Sequence, residues 1–257
     1  MSYHHEHAAR WQGRHEGKDT LRTEVWQALE RAQVNVGPVA SRIPNFVGAD
    51  AAAQRLAQTA FWQDARIVKC NPDPPQIPVR LRALYDGKVL YTPVPELVQG
   101  FPFVRLDPAQ LKARDISFEL AATSQGALQV GEPVQFEDME AMDVVVVGCV
   151  AVTAQGGRTG KGGGFADLEL GIFRELGTLP AHAQIVTTVH EVQVVPDAQI
   201  EMLAHDSALH WIFTPERSIE THSPYPQPGG VAWDVVQDDQ IRDIPFLLEL
   251  KRRLTAA

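Results

Sequence analysis

The spacing of apolar residues changes along this chain, and each spacing predicts an element. In KDTLRTEVWQALERAQV, residues 18–34, Leu21, Val25, Ala28, Leu29 and Ala32 recur at helical intervals and predict an amphipathic helix. Gly48-Ala49-Asp50 opens an alanine-rich helix running to about Trp62. RIVKC, residues 66–70, predicts a strand. NPDPPQIP, residues 71–78, predicts a proline-rich loop through which no helix can run. Residues 79–85 and 88–92 predict two strands paired around Asp86-Gly87, a hairpin turn signal. A strand over 103–106, a helix over 117–123 and an extended piece over 134–136 follow. DVVVVGCVAV, residues 143–152, predicts a buried strand, and the helix after it runs from about Phe165 to Leu176 with Gly177 as its stop. The remaining elements are a strand over 184–189, a helix over 196–204, a strand over 209–213 ended by Thr214-Pro215, a short strand over 233–236 and a closing helix over 243–254.

Strands alternate with helices through the second half. This predicts βαβ units and an α/β fold with a mostly parallel sheet flanked by helices. Ligands of such sheets bind beyond the carboxyl ends of the strands. Three such ends carry polar groups: the glycine-rich loop after Val152, the His190 to Gln193 stretch after Val189, and Thr214 after Phe213. They are expected to converge. The organisation expected is a polar tail over 1–17, then a single domain over 18–257. His4, His5, His7 and His15 in the tail lack a recurring ligand spacing, so a solvated tail is the simpler assignment.

The chain centres on GGRTGKGGGFADLELGIFRELG, residues 156–177, where six glycines lie between 156 and 164. Glycine lets backbone N–H groups approach a ligand closely, and the new helix brings unsatisfied N–H groups and a positive dipole end to the same place. Arg158 and Lys161 add positive charge. The combination predicts a cradle for a phosphate or nucleotide. It is not a P-loop, because Lys161 is followed by Gly162 rather than Ser or Thr. Nor is it the dinucleotide fingerprint of a first βα turn, since it lies past the middle of the chain. Lys18 and Arg22, one helical turn apart, reach either a phosphate or solvent.

The formal charge is −9, from 23 Lys and Arg against 32 Asp and Glu. That argues against general nucleic-acid binding and against binding to acidic membranes, so an anionic ligand needs a local basic pocket. No apolar run reaches the roughly 18 residues of a membrane span. The N-terminus has no apolar signal core, and Cys70 and Cys149 sit in separate apolar stretches as buried free thiols. A cytoplasmic location is expected.

The run Gly157-Arg158-Thr159-Gly160-Lys161-Gly162-Gly163-Gly164-Phe165-Ala166-Asp167 resembles the glycine-rich signature of the 5-formyltetrahydrofolate cyclo-ligase (methenyltetrahydrofolate synthetase) family. Gln193, Pro196, His205-Asp206 and Thr214 follow in the family's order, and Lys18 and Arg22 match its opening basic pair. RIPNF (42–46), NPDPP (71–75), ATSQG (122–126) and GKGGGFADLE (160–169) resemble the divergent branch of methenyltetrahydrofolate synthetase domain-containing proteins over nearly the whole chain. The resemblance implies a NagB/RpiA/CoA transferase-like fold with MgATP in the glycine loop and a reduced folate beside it. It implies that ATP phosphorylates the N5-formyl oxygen and that ring closure gives 5,10-methenyltetrahydrofolate. On this resemblance Arg158 and Lys161 are the catalytic candidates. Lys18, Arg22, Gly160, Gly162, Gly163, Gly164, Gln193 and Thr214 are the candidates for binding ATP, and Asp167 or Asp206 for organising Mg²⁺.

Simpler assignments stand beside these. A carboxylate at Asp167 stabilises the first turn of a helix without any metal. His205 and Asp206 can terminate a helix, Gln193 can satisfy a strand end, and Thr214 can cap a helix. Trp62 and Trp211 can stack on a pterin or pack in the core. The sequence departs from the family where its tyrosine pair is Phe165-Ala166, and where Leu168 replaces an arginine. Two further readings follow: a homologue that keeps the phosphate cradle but takes another heterocyclic substrate, and a non-catalytic ligand-sensing protein on the same scaffold.

Overall fold

The computed structural model describes residues 14–97 and 100–255. His4, His5 and His7 lie outside the described residues, whereas Arg14 and His15 belong to the folded part. The helices, in chain order, are α1 (Glu16–Arg31), α2 (Ala49–Ala57), α3 (Ala60–Asp64), α4 (Ile77–Tyr85), α5 (Pro108–Ala113), α6 (Phe118–Ala121), α7 (Ser124–Val130), α8 (Phe165–Glu175), α9 (Asp238–Asp243) and α10 (Leu247–Thr255). The strands are β1 (Ile67–Cys70), β2 (Val89–Pro93), β3 (Phe103–Leu106), β4 (Glu132–Val134), β5 (Val144–Val146), β6 (Ala151–Thr153), β7 (Arg158–Thr159), β8 (Gln184–Thr188), β9 (Val194–Val195), β10 (Trp211–Phe213) and β11 (Ser218–Glu220).

Eight strands form one sheet in the order β11-β10-β8-β5-β1-β2-β3-β4. The five central strands, β10 to β2, are mutually parallel. Antiparallel strands complete both edges. β5 shows why its sequence is a continuous valine run rather than an alternation: both faces of the sheet are covered. Val144 and Val146 pack with Trp62, Val68 and Leu84 on one face. Val145 and Val147 pack with Phe103, Phe173 and Ile212 on the other. A second, three-stranded sheet, β7-β6-β9, carries α1. Leu21, Val25 and Leu29 of that helix pack against Ile43, Val150, Ala151 and Ile200.

The α/β architecture with its mostly parallel sheet is as expected, but several local elements differ. No hairpin spans 79–92. Residues 77–85 form α4, which starts within the proline-rich stretch because a proline in the first turn lacks only an N–H that has no partner there. Asp86-Gly87 is the end of that helix. Gly87 has φ +77°, its N–H donates to Leu84 O at 3.2 Å, and Lys88 N donates to Ala83 O at 2.9 Å, the paired bonds of a Schellman cap. The expected single strand over 143–152 is two strands in different sheets, β5 and β6, separated by an irregular stretch over 147–150. The alanine-rich helix breaks at Thr59, whose hydroxyl caps α3 by accepting from Trp62 N at 3.3 Å. Residues 196–204 hold only the short 3-10 turn Asp197–Gln199, since the buried side chain of Ile200 and a bond from Leu203 N to Asp206 Oδ2 (2.9 Å) shape an irregular segment. Residues 233–236 are turns rather than a strand. Pro245 separates α9 from α10, because the residue before a proline is pushed out of helical backbone.

Cys70 and Cys149 are free and buried. Burial pushes the Cys70 thiol up to about 11, with Arg80 and Lys69 opposing the rise. Burial likewise raises Cys149. At pH 8 the native protein should therefore leave both thiols unreacted with a thiol-titrating disulfide reagent, and denaturant should release two. Rapid reaction of either in the native state would contradict this packing.

Candidate functional site

The chain leaves β1 toward β2 on one side of the sheet and leaves β5 toward β8 on the other. The crevice beyond the carboxyl ends of β1 and β5 is thus a topological switch point, where open α/β sheets bind ligands. A pocket of about 270 Å³ opens there. Asn71 and Asp73 come from the segment after β1, Gly148 from the segment after β5, and Gly160 to Gly164 from the turn between β7 and α8. Gly148 has no room for a side chain: a Cβ would lie 2.8 Å from Asp73 Oδ2 and 3.1 Å from the Ile43 side chain.

The glycine loop, Gly160 to Gly164, forms one wall of this pocket. Gly162 and Gly164 have φ of +108° and +72°, conformations that favour glycine. Gly164 is the N-cap of α8 and supplies no side-chain cap, which places the positive end of the helix dipole at the pocket. Two carbonyl oxygens of the loop, which would repel an anion, are already engaged. Gly160 O accepts from Arg22 Nε at 2.6 Å, and Gly163 O accepts from Gln240 Nε2 at 2.9 Å and Arg14 Nη1 at 3.3 Å.

α1 lies across this loop, so its basic pair faces the pocket rather than solvent. Lys18 Nζ is 2.5 Å from Asp206 Oδ2, and Arg22 also pairs with Asp19. Burial pulls the Arg22 guanidinium below its ordinary value against the attraction of Asp19 and Asp206. His15 caps the helix, its Nδ1 accepting from Lys18 N at 3.2 Å.

Arg158 is buried, 3% exposed. Its Nε donates to Ser207 O at 2.8 Å, and its Nη2 pairs with Asp167. Asp167 Oδ1 also accepts Ser207 N at 2.8 Å, while Arg174 Nη1 donates to Ser207 Oγ at 2.9 Å. Burial works against the Arg158 charge, but Asp167, Cys149 and Asp206 outweigh it and the guanidinium is held above its ordinary value.

Beneath the pocket, Lys69 Nζ lies 2.5 Å from Glu169 Oε2 as a buried ion pair and donates to Asn71 Oδ1 at 2.5 Å. Burial raises Glu169, and Lys69 opposes the rise. Buried Arg80 donates to the carbonyls of Asn71, Pro72, Asp73 and Ala122, which fixes the segment after β1.

Lys18, Arg22, Arg158, Gly160, Lys161, Gly162, Gly163, Gly164, Asp167 and Asp206 therefore come together around one pocket. Gln193 and Thr214 do not. Gln193 braces the small sheet, with its Nε2 on the carbonyls of Cys149 and Val150 (3.1 Å each) and its Oε1 accepting His190 N. The Thr214 hydroxyl holds a turn, accepting Arg217 N at 2.9 Å and pairing with Glu191. Their strands, β8 and β10, lie away from the switch point, so the expected three-way convergence of strand ends is replaced by one crevice. Arg14, Asn71, Asp73 and Gln240 line the pocket without having been singled out from the sequence. Asn71 and Asp73 had a usable signal, since NPDPP directly follows a buried strand. Trp62 is 1% exposed in the core, and Trp211 packs beside Phe61 and Phe213. Among the described residues no group of three or more His, Cys, Asp or Glu side chains is placed to hold a metal. No helix among them is long and apolar enough to cross a membrane.

A mostly parallel α/β sheet with a glycine-lined pocket at its switch point defines the class, and comparison with known proteins narrows it. The chain belongs to the 5-formyltetrahydrofolate cyclo-ligase family, whose model matches residues 14–215. Methenyltetrahydrofolate synthase domain-containing protein of Mus musculus is 38% identical over 240 residues, covering 92% of this chain and 63% of that protein. The Bos taurus protein of the same name is 36% identical over 240 residues, with 92% and 62% covered. The chain thus spans a little under two thirds of the length of these relatives. The solution structure of Aquifex aeolicus 5,10-methenyltetrahydrofolate synthetase superposes with a TM-score of 0.50 at 17% identity, covering 80% of this chain and 95% of that one. That likeness is one of fold.

Inorganic triphosphate should raise the melting temperature of this protein, a ligand at a hundredfold its Kd adding about 2.7 kcal/mol. Arg22→Ala should shrink the gain and Arg55→Ala, remote from the pocket, should not. Equal gains in all three proteins would remove Arg22 from the anion site.

Proposed function

We propose that the protein is an ATP- and Mg²⁺-dependent ligase that converts 5-formyltetrahydrofolate to 5,10-methenyltetrahydrofolate. Membership of the cyclo-ligase family supports the reaction class. The observation that carries the reading is the glycine loop, with the carbonyls of Gly160 and Gly163 engaged and the α8 N-terminus at a pocket lined by Lys18, Arg22 and Lys161.

In this reading the amides at Gly160 to Gly164 and the first turn of α8 hold the phosphates of ATP. Lys18 and Arg22 approach from α1, and Lys161 meets the phosphoryl group in transfer. Arg158 acts from beneath, positioning Asp167 and Ser207. The formyl oxygen attacks the γ-phosphorus and ADP departs. N10 then attacks the activated carbon and gives up its proton to water, the C–O bond breaks and phosphate leaves. Such chemistry asks the protein chiefly for positioning and for charge stabilisation. A magnesium ion bound here would supply further neutralisation of phosphate charge. Magnesium ordinarily takes one or two protein carboxylates and keeps waters and phosphate oxygens for the rest. Asp167 Oδ2, which accepts no hydrogen bond from the described residues, and Asp206 Oδ1, which has His205 Nε2 at 3.8 Å, would be the oxygens to hold it. The two buried free thiols accord with a cytoplasmic protein.

One observation favours a second reading, a retained phosphate site with a changed substrate: Phe165 and Ala166, in place of a tyrosine pair, line the pocket itself. Incubation with 5-formyltetrahydrofolate and MgATP distinguishes the two. ATP-dependent appearance of the methenyl absorbance in the near ultraviolet, reduced at least tenfold in Lys161→Ala, is the expected result. No methenyl product from a protein that still binds MgATP would exclude the first reading and leave the second.

A further inference from the structure

The matched part of the family ends at residue 215, yet one wall of the pocket comes from beyond it. After β11 the chain turns back and crosses α8 at a contact between two glycines' surroundings. A Cβ on Gly171 would lie 3.0 Å from the Gly230 carbonyl oxygen, and one on Gly230 would lie 2.7 Å from Glu175 Cγ. Val231 N donates to Glu175 Oε1 at 2.8 Å and fixes the crossing. α9 then ties the segment to the glycine loop. Gln240 Nε2 donates to Gly163 O, and Arg14, whose Nη1 shares that carbonyl, donates from Nη2 to both carboxylate oxygens of Asp239 at 2.7 and 2.6 Å. Between these anchors, Val231, Ala232, Val235 and Val236 face the pocket. Val235 is 40% exposed, an aliphatic side chain left uncovered beside an anion cradle.

We propose that this C-terminal segment is the specificity-determining wall of the site. It receives the planar heterocyclic part of a ligand whose anionic part rests on the glycine loop. The inference rests on the reading that the loop holds phosphates. Aliphatic surface gains by covering a ring face and releasing water, whereas it offers nothing to a phosphate. The ring chemistry is shared by a nucleotide base and a reduced pterin, and the ligands chosen below separate them.

Calorimetric titration of the wild type, Ala232→Asn and Val235→Asn with inorganic triphosphate, MgATP and 5-formyltetrahydrofolate tests the proposal. Both side chains are partly exposed, and Val235→Thr, which keeps the shape and adds a hydroxyl, replaces any variant that does not fold. Triphosphate affinity should be unchanged, while a ring-bearing ligand should weaken by about tenfold or more, the scale on which apolar pockets discriminate. A loss confined to MgATP assigns the wall to the nucleotide base, and one confined to 5-formyltetrahydrofolate assigns it to the pterin. Variants that bind all three ligands as the wild type does, or that lose triphosphate by the same factor, overturn the wall alone. A wild type that binds none of the three overturns the phosphate reading and the wall with it.

Discussion

The buried guanidinium of Arg158 is the constraint on which the site depends. A charge removed from water must be paired and hydrogen-bonded, and breaking such a pair by removing one partner costs roughly 3–5 kcal/mol. Arg158 meets that demand with Asp167 at the start of α8 and with the Ser207 carbonyl. Three pieces distant in sequence are fixed by one side chain: the small sheet, the helix behind the glycine loop and the irregular 200–207 segment. Because Asp167 also accepts Ser207 N, the N-terminus of α8 cannot turn without disturbing the segment that presents Asp206 to Lys18.

The glycine loop is consequently held from several sides. Arg22 takes the Gly160 carbonyl from α1, and Gln240 and Arg14 take that of Gly163. Arg22 and Arg14 also bring positive charge to the crevice of a chain whose net charge is −9, each while paired with a carboxylate, Asp19 and Asp239 respectively. The Lys69–Glu169 pair and Arg80 fix the segment after β1, which forms the opposite edge. Preorganisation of this kind suits a reaction whose main requirement is charge stabilisation.

Much of this was legible in the sequence where local chemistry decides structure. The helix beginning at Phe165, its stop at Gly177 and the 103–106 strand follow from periodicity and glycine position. The valine run predicts a buried strand, but it divides between two sheets around Gly148, which closely approaches Asp73, a contact made across the fold. Asp86-Gly87 shows the limit of dipeptide signals, because a glycine in left-handed backbone serves a helix end as readily as a hairpin. The basic residues around the glycine loop were found because charge beside glycine has one obvious use. Gln193 and Thr214 were drawn in by sequence order, which does not reveal that β8 and β10 stand away from the switch point. Arg14 and Gln240 were missed because their contacts cross 149 and 77 residues of chain.

The central claim is that the glycine loop and the open end of α8 form the phosphate site. A crystal structure with a non-hydrolysable MgATP analogue tests it most directly. The account predicts phosphate oxygens within hydrogen-bonding distance of the amides at Gly160 to Gly164 and of the Lys161 ammonium. An analogue bound elsewhere on the molecule, with the loop amides facing solvent, would contradict it.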